Sequence, residues 1–147
     1  MVDKLFATNK ADRVDMLTKP LVGSALYLGY ISIVGGTPVA SAFIPALGFG
    51  ATLAVSDAIE RFGVDPLFRY VGIFSKEDEL IQRTFDMTIG EALITGLTYP
   101  FINALIQRQA PSMRMYSQEA YFGFALALAA DSGNNVLQDL LVPSGTR

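Results

Sequence analysis

Between Lys19 and Asp57 the chain runs for 37 residues without a single charged side chain. One bilayer crossing takes about 20 apolar residues, so the run is too long for one helix. It is interrupted by Gly35-Gly36-Thr37-Pro38, a strong turn signal. The pattern predicts helices over residues 19–35 and 39–62, with Pro45 kinking the second or delaying its regular start. A third helix is expected over 86–107, with Glu91 in its first turns and Pro100 inside it, and a fourth over 117–141.

The two halves echo each other. Val22-Gly23-x-Ala25-Leu26-x-x-Gly29 returns 67 positions later as Ile89-Gly90-x-Ala92-Leu93-x-x-Gly96. An apolar run into Asp57, with Asp65 eight residues on, returns 74 positions later as a run into Asp131 and Asp139. A longer loop around 108–118 accounts for the difference. The expected organisation is an N-terminal interfacial segment (1–18), a first helical hairpin (19–65), a connecting loop (66–85) and a second helical hairpin (86–147). The fold class that follows is all-α, a four-helix transmembrane bundle built from two tandem hairpins.

Composition narrows the chemistry. Charged residues make up 17% of the 147, and Cys, His and Trp are absent; soluble chains average about 25% charged. The usual zinc sites, thiol nucleophiles, His-based triads and disulfides are thereby removed together. A net charge of −3 argues against a broad nucleic-acid surface. Gly48-Phe49-Gly50 is no nucleotide loop, since it lacks a preceding strand and a third glycine. Residues 1–19 have no apolar core of a secretory signal. The expectation is no enzyme, no cofactor, no metal and no nucleic-acid partner.

Only residues 120–130 of the fourth helix are uninterrupted and apolar, a length more typical of a buried core helix. A soluble four-helix bundle is therefore the competing architecture. Two patterns favour the membrane. With four spans, nine of the eleven basic residues, Lys19 and Arg61 among them, fall on the side of both termini, and only Arg108 and Arg114 on the other. That is a positive-inside bias placing the termini in the cytoplasm or its equivalent. In addition, small residues recur at four-residue spacing on every predicted helix. They are Ala25 and Gly29, then Ala42, Ala46, Gly50 and Ala54, then Ala92 and Gly96, and finally Ala125, Ala129 and Gly133. Such stripes let helix backbones approach closely, within a bundle or between subunits of an oligomer.

Few polar residues stand out. Asp57 and Asp131 occupy equivalent places, and an intramembrane carboxylate is by default an ion or proton site. Each is followed by further polar groups, Glu60 and Arg61 in one case and Asn134, Asn135 and Asp139 in the other. These acids are accordingly expected, with Asn134 and Asn135, at the membrane interface, solvated or paired. Glu91 reads as an interfacial carboxylate complementing its helix dipole. Tyr27, Tyr99, Tyr116 and Tyr121 fit an interfacial belt, whereas Tyr30 is deep enough to pack. The connecting loop, with Phe68, Tyr70 and Phe74, would lie in the interface, dock on a partner or fold back over its own bundle.

The opening, Thr8-Asn9-Lys10-Ala11-Asp12-Arg13 leading into Leu17-Thr18-Lys19-Pro20-Leu21-Val22 and then a duplicated, small-residue-rich hairpin, resembles small multi-pass membrane proteins of large icosahedral DNA viruses of algae and protists. That resemblance covers most of the chain and implies a structural protein of the virion internal membrane, contacting the lipid bilayer and the capsid or minor capsid layer. It implies no functional residues. The competing readings are a small channel or transport subunit, with Asp57 and Asp131 lining a path, and an accessory subunit of a membrane complex.

Overall fold

The structure, a computed structural model, describes residues 10–64, 67, 70–71, 89–108, 110 and 112–141. Four helices account for nearly all of them: α1 (Lys10–Ile33), α2 (Val39–Ile59), α3 (Glu91–Gln107) and α4 (Met113–Leu141). A π-helical turn, Glu60–Val64, prolongs α2. Among the described residues there is no strand. α1 packs on α2 and α4, and α3 packs on the same two, so the helices close into a square with α1 and α3 at opposite corners.

The all-helical expectation holds, and the turn at Gly35-Gly36 lies where the sequence places it. Val34 N–H donates to the Tyr30 carbonyl (2.8 Å) and Thr37 N–H to that of Ile31 (3.1 Å), capping the end of α1. Gly36 takes φ +64°, a left-handed value that glycine adopts without steric cost. Pro38, with its fixed φ, then starts α2 and accepts from the N–H groups of Ser41 and Ala42. The second turn closes on Arg108, whose φ of 54° makes it the one described non-glycine residue in the left-handed region.

α1 differs from expectation at its start. It begins at Lys10, so residues 10–18 continue the first helix instead of forming a separate interfacial segment. The helix passes straight through Pro20, which has no N–H to offer the Met16 carbonyl. A Cβ on Gly50 would meet the Pro20 carbonyl oxygen at 2.6 Å and would also press on Ser24 Oγ.

The interior is built in layers spaced four residues apart on every helix. Lys19, Asp57, Glu91 and Asp131 form the first, Gly23, Leu53, Thr95 and Ala127 the second, and Tyr27, Phe49, Tyr99 and Gly123 the third; all twelve are buried. In the third layer Tyr27 stacks on Phe49 (centroids 5.6 Å), and Tyr99 meets Phe49 edge-on at 5.3 Å. Phe122 closes the aromatic cluster against Tyr27 at 5.7 Å. Such pairs each add about 0.5–1.5 kcal/mol beyond area burial. Across the square, Lys19 faces Glu91 and Tyr27 faces Tyr99, both at a separation of 72 positions. The packing thus relates α1 and α3 at 72, not at the 67 of the Val22 and Ile89 motifs, which occupy unlike surroundings, while α2 and α4 keep the 74 of Asp57 and Asp131.

The outside is apolar. Leu17, Leu21 and Ile33 on α1, Val39, Phe43 and Ile44 on α2, Leu93, Leu97, Phe101 and Leu105 on α3, and Met113, Tyr121, Val136 and Leu140 on α4 are each more than half exposed. α2 with its π turn, Val39–Val64, is long and apolar enough to cross a membrane.

The α1–α2 approach gives a direct test. Gly50→Ala drives a methyl into backbone, and overpacking of this kind costs about 1–3 kcal/mol. Gly29→Ala meets nothing within 4 Å and should raise stability by about 0.5–1 kcal/mol, the ordinary gain of Ala over Gly inside a helix. Denaturation of the two purified variants under one set of conditions should separate them in that order.

Candidate functional site

The first layer is the chemically distinctive part of the molecule. Lys19 is 4% exposed, and its Nζ donates to Glu91 across the square and to Asp131 on α4 at 2.8 Å. Asp57 is paired within its own helix end: Arg61, one turn on, donates from Nε to both carboxylate oxygens at 2.8 and 2.9 Å. Asp57 and Asp131 both lie within electrostatic reach of Glu91. Beneath them Asn134, fully buried, accepts from the Thr18 hydroxyl at 2.5 Å, and Asn135 reaches Asp131 at 3.5 Å.

Among the described residues, the carboxylates of Asp57, Glu91 and Asp131 meet the cations of Lys19 and Arg61. Glu60 is buried beside them on the π turn. Withdrawing an ion from water costs several kcal/mol even after relaxation, and only close pairing and hydrogen bonding offset it. Glu91 Oε1 and Thr95 Oγ1, on side chains one turn apart on α3, are buried without a hydrogen-bond partner.

That face is polar along its whole length. Glu91, Thr95, Tyr99, Asn103 and Gln107 follow at four-residue spacing, the first four buried. Thr98 adds a hydroxyl beside Ser56 of α2 at 3.4 Å. Tyr99 donates to the Tyr27 hydroxyl at 3.0 Å. Asn103 donates to Glu119 at 2.9 Å and accepts from Gln107 at 3.1 Å.

The residues singled out from the sequence fall as follows. Asp57 and Asp131 come together in one layer, as their equivalent places imply, but each is 8% exposed and ion-paired, so neither is solvated. Asn134 is buried with them and Asn135 faces out. Of the small residues, Ala42, Ala46 and Gly50 pack inside on α2, whereas Ala54 is exposed. A strict four-residue stripe turns about 40° per step around a 3.6-residue helix, so four members cannot all face one neighbour. Ala92 and Gly96 are buried on α3, where a Cβ on Gly96 would approach the Ala120 carbonyl at 2.9 Å. Ala25, Ala125 and Ala129 are exposed, Gly29 has open space beside it, and a Cβ on Gly133 would meet Val22 at 3.3 Å. α4 instead turns Gly123, Ala127 and Ala130 inward. Tyr70 is 89% exposed; Phe68 and Phe74 lie outside the described residues. Tyr27 and Tyr99 are not at an interface but deep in the bundle, while Tyr30 is 45% exposed.

Lys19 and Glu91 are the site residues that sequence reasoning passed over. Each flanks an apolar run and looks like an ordinary interfacial charge. The signal that finds them is register: Lys19, Gly23 and Tyr27 on one helix match Glu91, Thr95 and Tyr99 on the other.

An apolar groove of about 390 Å³ lies on the outside between α3 and α4, lined by Leu93, Leu97, Tyr121 and Phe124 among others. Among the described residues no group of acids is placed to hold a metal ion. Compared with known proteins, the chain matches no family model, no curated protein and no solved structure.

Removing the cation from a buried ion cluster is costly because the acids are then left uncompensated. Lys19→Met is expected to destabilise the bundle by about 3 kcal/mol or more. Adding Glu91→Gln to that variant should recover part of the loss, since it removes one stranded charge. A double-mutant cycle of detergent-phase unfolding reads the coupling; strictly additive effects would show that the two do not interact.

Proposed function

We propose that the chain is an integral membrane protein whose four helices lie together in the bilayer. One observation carries this reading: the polarity of the bundle is inverted. Charged and polar side chains from all four helices are buried, while long leucine, isoleucine, valine and phenylalanine side chains cover the outside. In water those side chains would form an exposed apolar surface of the kind that marks an interface with protein or lipid. In lipid it is the expected solvent-facing surface, and intramembrane charges turn inward and pair. From the charged layer to the hairpin turns, the uncharged stretches of α1 and α2 span roughly 20–27 Å at 1.5 Å per residue, close to the thickness of the hydrocarbon core.

The primary role proposed is structural. Such a bundle would be a membrane component of a larger assembly, and the resemblance drawn from the sequence places it in a virion membrane beneath a capsid layer. Its docking surfaces would be the segments that continue from the described helix ends at Lys10, Val64, Ile89 and Leu141. The second reading, a small transport subunit, is favoured by the polar face of α3 that runs the length of the interior.

Carbonate washing of membranes from expressing cells, followed by detergent, tests the placement. The protein is expected to stay in the pellet through the wash and to enter solution only with detergent. Release by carbonate would rule out the bilayer and leave the apolar exterior as an interface for another protein.

A further inference from the structure

Resting on the membrane reading, we propose that the outer groove between α3 and α4 holds one acyl chain of an anionic phospholipid. Arg114, at the end of the groove, would take the phosphate. The groove exists because of two small residues. Gly96 has no side chain and Ala120 only a methyl, so the two backbones come together here. A Cβ on Gly96 would meet the Ala120 carbonyl oxygen at 2.9 Å. Larger side chains rise on either side, Leu93 and Leu97 from α3 and Tyr121 and Phe124 from α4, around a space of about 390 Å³. Leu93, Leu97 and Tyr121 are each more than half exposed, so the groove opens onto the face that the membrane reading turns to lipid.

Its chemistry asks for hydrocarbon. The Tyr116 hydroxyl donates to the Leu97 carbonyl and Ser117 Oγ to the Arg114 carbonyl, both at 3.0 Å. Two of the three hydroxyls on the wall are thereby committed within the protein. Size then decides between a helix and a chain. One turn of helix, 10–12 Å across and 5.4 Å long, fills roughly 400–600 Å³, so a helix of a second copy would not fit inside. An apolar cavity of about 150 Å³ takes one benzene, and on that scale roughly fifteen carbons fill this groove. That is one acyl chain.

Charge selects the headgroup. Arg114, Ser117, Tyr121 and Phe124 follow at intervals of three and four residues, which places them on one stripe of α4. The stripe runs about 15 Å from the arginine to the far end of the groove. Arg108 closes α3 at the same end of the bundle. Both arginines are exposed, and neither is ion-paired among the described residues. Glu119, the one acid between Met113 and Ala130, is held by Asn103 at 2.9 Å. A guanidinium left open in this way matches a phosphate, which it binds by two parallel charge-assisted hydrogen bonds.

The test places the full-length protein in phosphatidylcholine vesicles with a trace of phosphatidylglycerol that carries a diazirine midway along one chain. Matched vesicles carry the diazirine on phosphatidylcholine instead. Flotation reads insertion before irradiation, and peptide mapping then reads where the label lands. Protein that fails to float overturns the membrane reading and the lipid site together. In protein that floats, label is expected to concentrate on residues 93–97 and 116–124 and to be several-fold stronger from phosphatidylglycerol. Ser117→Phe, at an exposed position, puts a ring into the groove and should remove most of that label while leaving label elsewhere unchanged. Arg114→Gln should lower the phosphatidylglycerol label about fivefold, the scale on which one basic residue acts on an anionic lipid surface. Its phosphatidylcholine label should stay as it was. Label spread evenly around the exterior, equal label from the two lipids, or undiminished label in both variants overturns the site and leaves the membrane reading standing. Cross-links from the groove to a second copy in place of lipid do the same.

Discussion

Everything in this bundle is organised around the need to keep Lys19 paired. A single ammonium, almost wholly withdrawn from water, is compensated by acids on two other helices. That requirement fixes the height of α1 against α3 and α4, and Arg61 and Asp57 then complete the layer on α2. Eight residues further in, about 12 Å along each helix, the aromatic layer repeats the same arrangement with apolar groups. Ion pairs in a low-dielectric interior contribute little net stability but are unforgiving of misplacement. The aromatic contacts, by contrast, stabilise the bundle and tolerate adjustment. One layer sets register and the other supplies cohesion.

Surface and interior then follow opposite rules. Inside, charged groups from three helices meet across the bundle; outside, many branched and aromatic side chains stand exposed. The small residues make this possible. Gly50 lets α1 pass Pro20, and Gly96 lets α4 lie against α3, each at a distance that a methyl group would not allow.

Much of the fold could be read from the chain. The charge-free run between Lys19 and Asp57, the Gly35-Gly36 break and the equivalence of Asp57 and Asp131 all state physical constraints that the helices obey. What could not be read was depth. A charge at the end of an apolar stretch looks the same whether it meets water or another helix, so Lys19 and Glu91 passed for flanking residues. Whether they meet depends on the relative height of α1 and α3, which the 67-residue repeat misstates by five positions. The small-residue stripes were ambiguous for a related reason: four-residue spacing drifts around the helix, and only part of each stripe can face a neighbour.

The partners of Lys19 both belong to the second hairpin, and this has a consequence for how the protein is made. Synthesis delivers the N-terminal hairpin first, with its ammonium in place and the acids that answer it not yet translated. Until Glu91 and Asp131 arrive, the first half is an unfinished object that needs shelter from water on its flanks and a counter-charge at its heart. The two halves are therefore obligate to each other from the moment of their biogenesis, and the chain matures as one unit, not as two stable hairpins that later meet.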